Sequence, residues 1–291
     1  MCYYSGMETF HEFSDRYKST ILPLKKKATQ HTFKSHIKSL NEAFGGCPLA
    51  DIDHKTIQAV FSNFAKTLEP ASVRNLHGTY RLLLSQAKRE GIVEEFPKPV
   101  LPRAKRVQQD WLRLDQMRDI IRAADTKHKA FVALLAEVGP RVGEAFGLRV
   151  EDLTGQTLYI QRSIFMKDAQ DPKTDNAFRR LYVSEQLVEL LRGRADSGYF
   201  FKTRNGGPWW QTYTRVYTDS LLRSLNIEPV GFHAWRRGNA TALASQFAVP
   251  TKIIGDRLGH SHKDLTLGCY AQTIEGSDKP YIDAYAKELY G

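Results

Sequence analysis

What the chain has little of narrows its class first. Its 291 residues include only three cysteines, Cys2, Cys47 and Cys269. They lie far apart and build neither a disulfide framework nor a CxxC metal knuckle. No apolar run approaches the roughly 20 residues that cross a bilayer. The opening MCYYSGMETFHEF lacks the basic-then-apolar layout of a secretory signal. There is no low-complexity tract and no internal repeat. These absences predict a soluble protein of a reducing, cytoplasmic compartment with no membrane partner. With 42% hydrophobic and 25% charged residues, disordered and fibrous classes are excluded as well.

Negative charge is also scarce: 32 Asp and Glu stand against 42 Lys and Arg, a formal charge of +10. Residues 1–110 contribute +6 and residues 111–291 contribute +4, so both halves are basic. A polyanion is the natural partner for such a chain, because neutralised phosphates release counterions. Soluble proteins without any nucleic-acid role carry similar charge, so charge by itself leaves the partner open.

The length fits two domains, and the pattern predicts helices separated by turns over residues 1–93. METFHEFSDRYKSTI is helical and LPLKKKATQ interrupts it. HTFKSHIKSLNEAFGG places Phe33, Ile37, Leu40 and Phe44 on one side and stops at Gly45-Gly46. Asp53 is a predicted N-cap for the next helix, and the helix from Pro70 runs to Gly91. Residues 94–110 read as a linker, since Pro97, Pro99 and Pro102 forbid a helix and favour stiff, extended chain. Lys98, Arg103, Lys105 and Arg106 would suit that linker to a phosphate backbone, and a solvated linker suits them equally. Residues 111–291 form the second domain: two helices, then strands in QTLYIQRSIFM and AFRRLYVSE joined by a polar turn KDAQDPKTDN, then further helices. The closing KPYIDAYAKELYG is an amphipathic helix with Tyr281, Ile282 and Tyr285 on one side; it suits docking on a neighbouring subunit or packing on its own body.

Three boxes in the second half carry chemistry. Gly139-Pro140-Arg141-Val142-Gly143-Glu144 breaks a helix and places Arg141 at the start of the next. Backbone N–H groups and a guanidinium there could hold a phosphate, with Glu144 holding the arginine or capping the turn; an ordinary helix-start arginine also fits this box. His233 and Arg236 lie three residues apart on one helix face and can point at one anion. Arg257-Leu258-Gly259-His260-Ser261-His262 is followed by Tyr270, ten residues after His260. The His260/His262 pair raises a metal site, but no third ligand stands at convincing spacing, so no metal and no cofactor is expected. Cys269 has no neighbouring base to activate it. Tyr213/Tyr217 and Tyr281/Tyr285/Tyr290 are spaced as helix-face packing residues.

In this order and spacing the boxes resemble those of the tyrosine recombinases, the phage-integrase family. The family pattern is an arginine box Gly-Leu-Arg-x-(Ser/Gly)-Glu, a hairpin lysine, His-x-x-Arg, Leu-Gly-His, and a tyrosine nine or ten residues on. The hairpin element resembles Pro172-Lys173-Thr174, with Arg179 shortly after, and its Pro-Lys-Thr setting favours Lys173 over Lys167. Pro140 stands where Leu or Met is usual, Trp235 replaces a common Leu, and Arg237-Gly238 replaces a frequent His-Thr pair. None of these departures removes a catalytic group.

The resemblance implies a mainly α fold with a small antiparallel sheet: a helical core-binding bundle followed by an α+β catalytic domain, closing as a C-shaped clamp on double-stranded DNA. It implies strand cleavage and rejoining through a 3′-phosphotyrosine, with Tyr270 as nucleophile and Arg141, Lys173, His233, Arg236 and His260 around the phosphate. It also implies self-association as a tetramer on paired sites in the nucleoid, compatible with accessory DNA-bending proteins. A catalytically silent member acting as a DNA-binding regulatory or architectural protein is the alternative. A metal-dependent nuclease using His260 and His262 is a third reading.

Overall fold

Polar caps and glycine stops cut the first hundred residues into a helical bundle. The structure is a computed structural model that describes residues 8–103, 110–165, 168–170 and 178–259. Thr9 caps α1 (Phe10–Thr20) through a reciprocal bond with Glu12. A 3-10 turn over Leu22–Leu24 then leads into α2 (Lys27–Phe44). This helix begins four residues before the predicted start at His31, because only Pro23 blocks the helix and Ala28-Thr29-Gln30 contain no breaker. Gly45 caps its end. The Asp53 carboxylate accepts from Thr56 N at 2.7 Å and starts α3 (His54–Thr67). Pro70 sits in the first turn of α4 (Pro70–Arg89), and Gly91 follows its end with φ +74°.

The apolar faces of these helices meet in one core around Phe10, Phe13, Phe44, Phe61 and Tyr80. Tyr80 joins three of those rings: it lies within 6.5 Å of Phe10, 5.7 Å of Phe44 and 5.8 Å of Phe61. Residues 97–103 lie extended against this body. Val100 exchanges two hydrogen bonds with the Gln58 amide, and Arg74 Nε donates to the Pro102 carbonyl. The chain divides into two compact units, Met1–Val107 and Gln108–Gly291.

The second unit is built on α6 (Thr126–Val138), whose turns from Ala130 to Val138 are apolar except for Glu137 and are buried on every side. Around it pack α5 (Leu114–Ala123), α8 (Glu185–Arg192), α9 (Gln211–Ser224) and α10 (Phe232–Ser245). The short helix α7 (Val142–Gly147) follows α6, and α11 (Thr251–Leu258) packs on α10. Strands β1 (Leu153–Thr154), β2 (Thr157–Ile160) and β5 (Arg179–Tyr182) form an antiparallel sheet in the order β1-β2-β5. Strands β3 (Ser163–Phe165) and β4 (Asp168–Gln170) make a separate antiparallel pair.

This differs from the predicted single pair of strands. QTLYIQRSIFM is broken at Gln161-Arg162, where both side chains turn to the buried Asp152 carboxylate instead of continuing the strand. Asp168–Gln170, assigned to a turn by its polarity, pairs with Ser163–Phe165. The architecture is otherwise the mainly α fold with a small antiparallel sheet that the sequence implied.

Gly238 explains one departure from the family pattern. The extended segment entering α5 crosses α10 there, with Leu112 N donating to the Ala234 carbonyl and Arg237 Nε to that of Asp110. A Cβ on Gly238 would stand 2.2 Å from the Leu112 carbonyl oxygen, a backbone atom that cannot swing aside. Gly238→Ala is therefore expected to cost on the order of 1–3 kcal/mol by overpacking. At Gly78 in α4 a Cβ meets nothing within 4 Å, so Gly78→Ala should stabilise by about 0.5–1 kcal/mol through helix propensity. Urea denaturation of the two variants checks both signs.

Candidate catalytic site

The first arginine is placed by a helix break. Gly139 ends α6 in the left-handed region at φ 61°, and Arg141, extended at φ −65° and ψ 145°, becomes the N-cap of α7. Its backbone N–H donates to Glu144 Oε2 at 2.9 Å, and its guanidinium Nη1 donates to Oε1 at 2.8 Å. Glu144 thus both caps the turn and holds the arginine. This corrects one expectation, because the N-cap N–H, offered by sequence to a phosphate, is taken by a carboxylate. What stays open is the guanidinium itself, with the Arg141 side chain 39% exposed against 2% for Glu144.

A second cation reaches the same carboxylate from the sheet. Residues of β5 alternate between buried and exposed, and Arg179 is on the buried side. Its Nη2 donates to Glu144 Oε2 at 2.8 Å, within a side chain only 6% exposed. Burial pushes the Glu144 carboxyl up, but Arg179, then Arg141 and Arg236, outweigh it and hold the pKa at about 2.

Helix α10 supplies the next pair. Its apolar face packs in the core, and Arg236 is 1% exposed. The guanidinium is ordered by backbone: Nη1 donates to the Gly139 carbonyl at 2.8 Å and Nη2 to that of Leu258. His233, one turn earlier, reaches solvent. Desolvation, then the positive charges of Arg236, Arg237 and Arg141, push its pKa below the ordinary imidazole value. The shift favours the uncharged ring, which can accept a proton.

The end of α11 closes the arrangement. Gly259, in the left-handed region at φ 69°, caps the helix. The carbonyls of Arg257, Leu258 and Gly259 each accept from a different arginine: Arg179 Nε at 2.6 Å, Arg236 Nη2, and Arg141 Nη2 at 3.4 Å. Terminal helix carbonyls lack intrahelical partners and carry the negative end of the helix dipole, so cations suit them. The three sequence boxes therefore meet at one place, joined by hydrogen bonds between residues 97 and 118 positions apart.

Lys173, His260 and Tyr270, expected at the site from the sequence, lie outside the described residues, as do Lys105, Arg106, His262 and Cys269. Lys98 and Arg103 are exposed and belong to the first unit. Among the described residues no group of three His, Cys, Asp or Glu side chains could hold a metal ion, and no helix is long and apolar enough to cross a membrane. In the sequence Arg179 stands out only as a residue shortly after the hairpin element. Period-two alternation along RRLY, which puts Arg179 on the same face as Leu181, is the signal that would have marked it as an inward-facing cation.

A model of the phage integrase family matches residues 110–275. A tyrosine recombinase XerC-like protein of Caldanaerobacter subterraneus subsp. tengcongensis is 25% identical over 179 residues, covering 50% of this chain and 46% of that protein. Transposase A from transposon Tn554 of Staphylococcus aureus is 26% identical over 207 residues, covering 65% and 56%. The chain thus spans about half the length of these curated relatives. Among solved structures, the Tn1549 transposon integrase in complex with a circular intermediate DNA superposes with a TM-score of 0.79 at 17% identity. That alignment covers 96% of this chain and 99% of that one, a likeness of fold.

The low Glu144 pKa has a measurable consequence. Because the folded-state value lies below the ordinary 4.5, its stabilisation is complete above that pH and is lost as pH falls through about 2. Glu144→Gln should therefore destabilise the protein by about 3 kcal/mol at pH 7, the size expected when one partner of a buried ion pair is removed. The gap to the unsubstituted protein should close as pH approaches 2, which denaturant titrations across that range measure.

Proposed function

The chain belongs to the phage integrase family, and from that premise we propose that it is a site-specific DNA recombinase, cutting and rejoining duplex DNA through a 3′-phosphotyrosine. The observation that carries this reading is the meeting of Arg141 and Arg236 at the end of α11, around one buried carboxylate. Arg141, Arg179 and Arg236 bring three positive charges and Glu144 one negative, leaving two in excess. An in-line attack on a phosphodiester by a tyrosinate passes through a phosphorane-like state carrying two negative charges. Fixed guanidinium groups stabilise that state more than the singly charged ground state.

The chemistry follows from what each group can do. The Tyr270 hydroxyl, with an ordinary pKa near 10, loses its proton as its oxygen bonds to phosphorus. The bond to the 5′-oxygen breaks, and that oxygen takes up a proton. His233, whose lowered pKa favours the uncharged ring, is suited to accept the first proton, Lys173 to supply the second, and His260 to hydrogen-bond a non-bridging oxygen. The new ester keeps the energy of the bond it replaces, so a 5′-hydroxyl from another strand reverses the step without a nucleotide or a metal cofactor. Two duplexes exchanged in this way need four cuts. Four protomers on paired sites are therefore the working assembly, with DNA-bending proteins as compatible accessories and the cytoplasmic nucleoid as the setting. The basic first unit and the cations Lys98, Arg103, Lys105 and Arg106 supply salt-sensitive contacts to the phosphate backbone.

The test uses labelled duplexes tiling the DNA that flanks the gene, each nicked to trap the cut strand, incubated in chelator and run on denaturing gels. A covalent protein–DNA band is expected with the unsubstituted protein and absent with Tyr270→Phe, while binding persists. Arg236→Lys should slow its formation by roughly 100-fold or more, the scale seen when one fixed donor to a developing oxyanion is lost. Salt-sensitive binding with no band on any duplex would favour a silent DNA-binding protein, and a nuclease signal abolished by chelator would favour a metal enzyme.

A further inference from the structure

Of the three arginines around Glu144, Arg179 differs in what remains for it to do. Arg141 is 39% exposed, and its bond to Gly259, at 3.4 Å, is the longest of the three to α11. Arg179 is held on both sides: by the Glu144 carboxylate at 2.8 Å and by the Arg257 carbonyl at 2.6 Å, with its side chain 6% exposed. It also sits on a strand whose backbone is paired along its length with β2. Arg257 returns the contact, with its Nη1 donating to the carbonyl of Tyr182 on the same strand at 3.0 Å.

Resting on the recombinase reading above, we propose that Arg179 is a positioning residue that clamps the end of α11 to the Arg141 turn. Its Nη2–H fixes Glu144, and so the backbone and side chain of Arg141. Its Nε–H fixes the carbonyl of Arg257, three residues before His260. It acts through these groups and does not touch DNA.

A guanidinium is suited to this because its donors leave a rigid plane in fixed, different directions. A lysine ammonium is a point charge that can satisfy the carboxylate but not the carbonyl in the same geometry. Arg179→Lys therefore keeps the ion pair and loses the clamp. The expected result is a covalent-complex rate at saturating DNA lower by about 100-fold, the scale of an ångström-sized misplacement of reacting groups. DNA affinity should be unchanged, since the bulk of the phosphate contacts is untouched. Combined with Glu144→Gln, the two effects should be strongly non-additive, as for residues of one network.

Hydrogen exchange gives a readout independent of cleavage. In Arg179→Lys the last turn of α11 and the turn at residues 141–147 should exchange faster, with the first unit unaltered. If exchange at both segments matches the unsubstituted protein, or if cleavage proceeds at the full rate, Arg179 is not a clamp. If rate and affinity instead fall together, in proportion to the unfolded fraction, its role is general stability and the proposal is overturned. Absence of any covalent band with the unsubstituted protein counts against the recombinase reading, and the exchange comparison still decides whether Arg179 holds the two segments together.

Discussion

The arginine cluster of the second unit is organised around a single carboxylate. Glu144 is 2% exposed, and removing such a group from water is costly unless its charge is fully answered. It is answered three times: by the N–H and guanidinium of the residue at its own helix start and by a guanidinium from the sheet. Those partners are committed in turn to the last carbonyls of α11. Burying this one charge thus makes the helix break at Gly139, the strand β5 and the end of α11 mutually dependent.

That dependence would suit the phosphate-binding role proposed for the cluster. A guanidinium left to itself on the surface would sample many rotamers and lose that freedom on binding. Here Arg141 is held by Glu144 and Arg236 by two backbone carbonyls before any ligand arrives. Such preorganisation leaves little reorganisation for the moment of reaction. Desolvation, together with the same positive surroundings, pushes the His233 pKa below the ordinary imidazole value.

Much of this was legible from residue order. Pro23, Gly45, Asp53, Gly139 and Gly259 mark helix ends by local chemistry that acts over a few residues. The structure caps or breaks helices at Gly45, Asp53, Gly139 and Gly259. The i, i+3 spacing of His233 and Arg236 and the Gly-Pro-Arg break are equally local. The strands are less legible. Asp168–Gln170 carry two polar residues within a stretch whose polarity predicts a turn, yet they pair with β3, because a two-stranded ribbon needs backbone partners more than apolar side chains.

Sequence by itself determined the helices, their stops, the basic balance of both halves and the ordered boxes that mark the family, because each depends on neighbours within a turn or two or on simple counting. Tertiary structure alone decided that Glu144 is buried, that Arg179 faces it, and that the carbonyls of residues 257, 258 and 259 each take a different arginine. It also decided that residue 238 must be glycine, since the obstacle is the backbone of Leu112, far away in the chain. Those facts arise from contacts between segments that no local pattern encodes, and they turn a set of separated motifs into one charged centre.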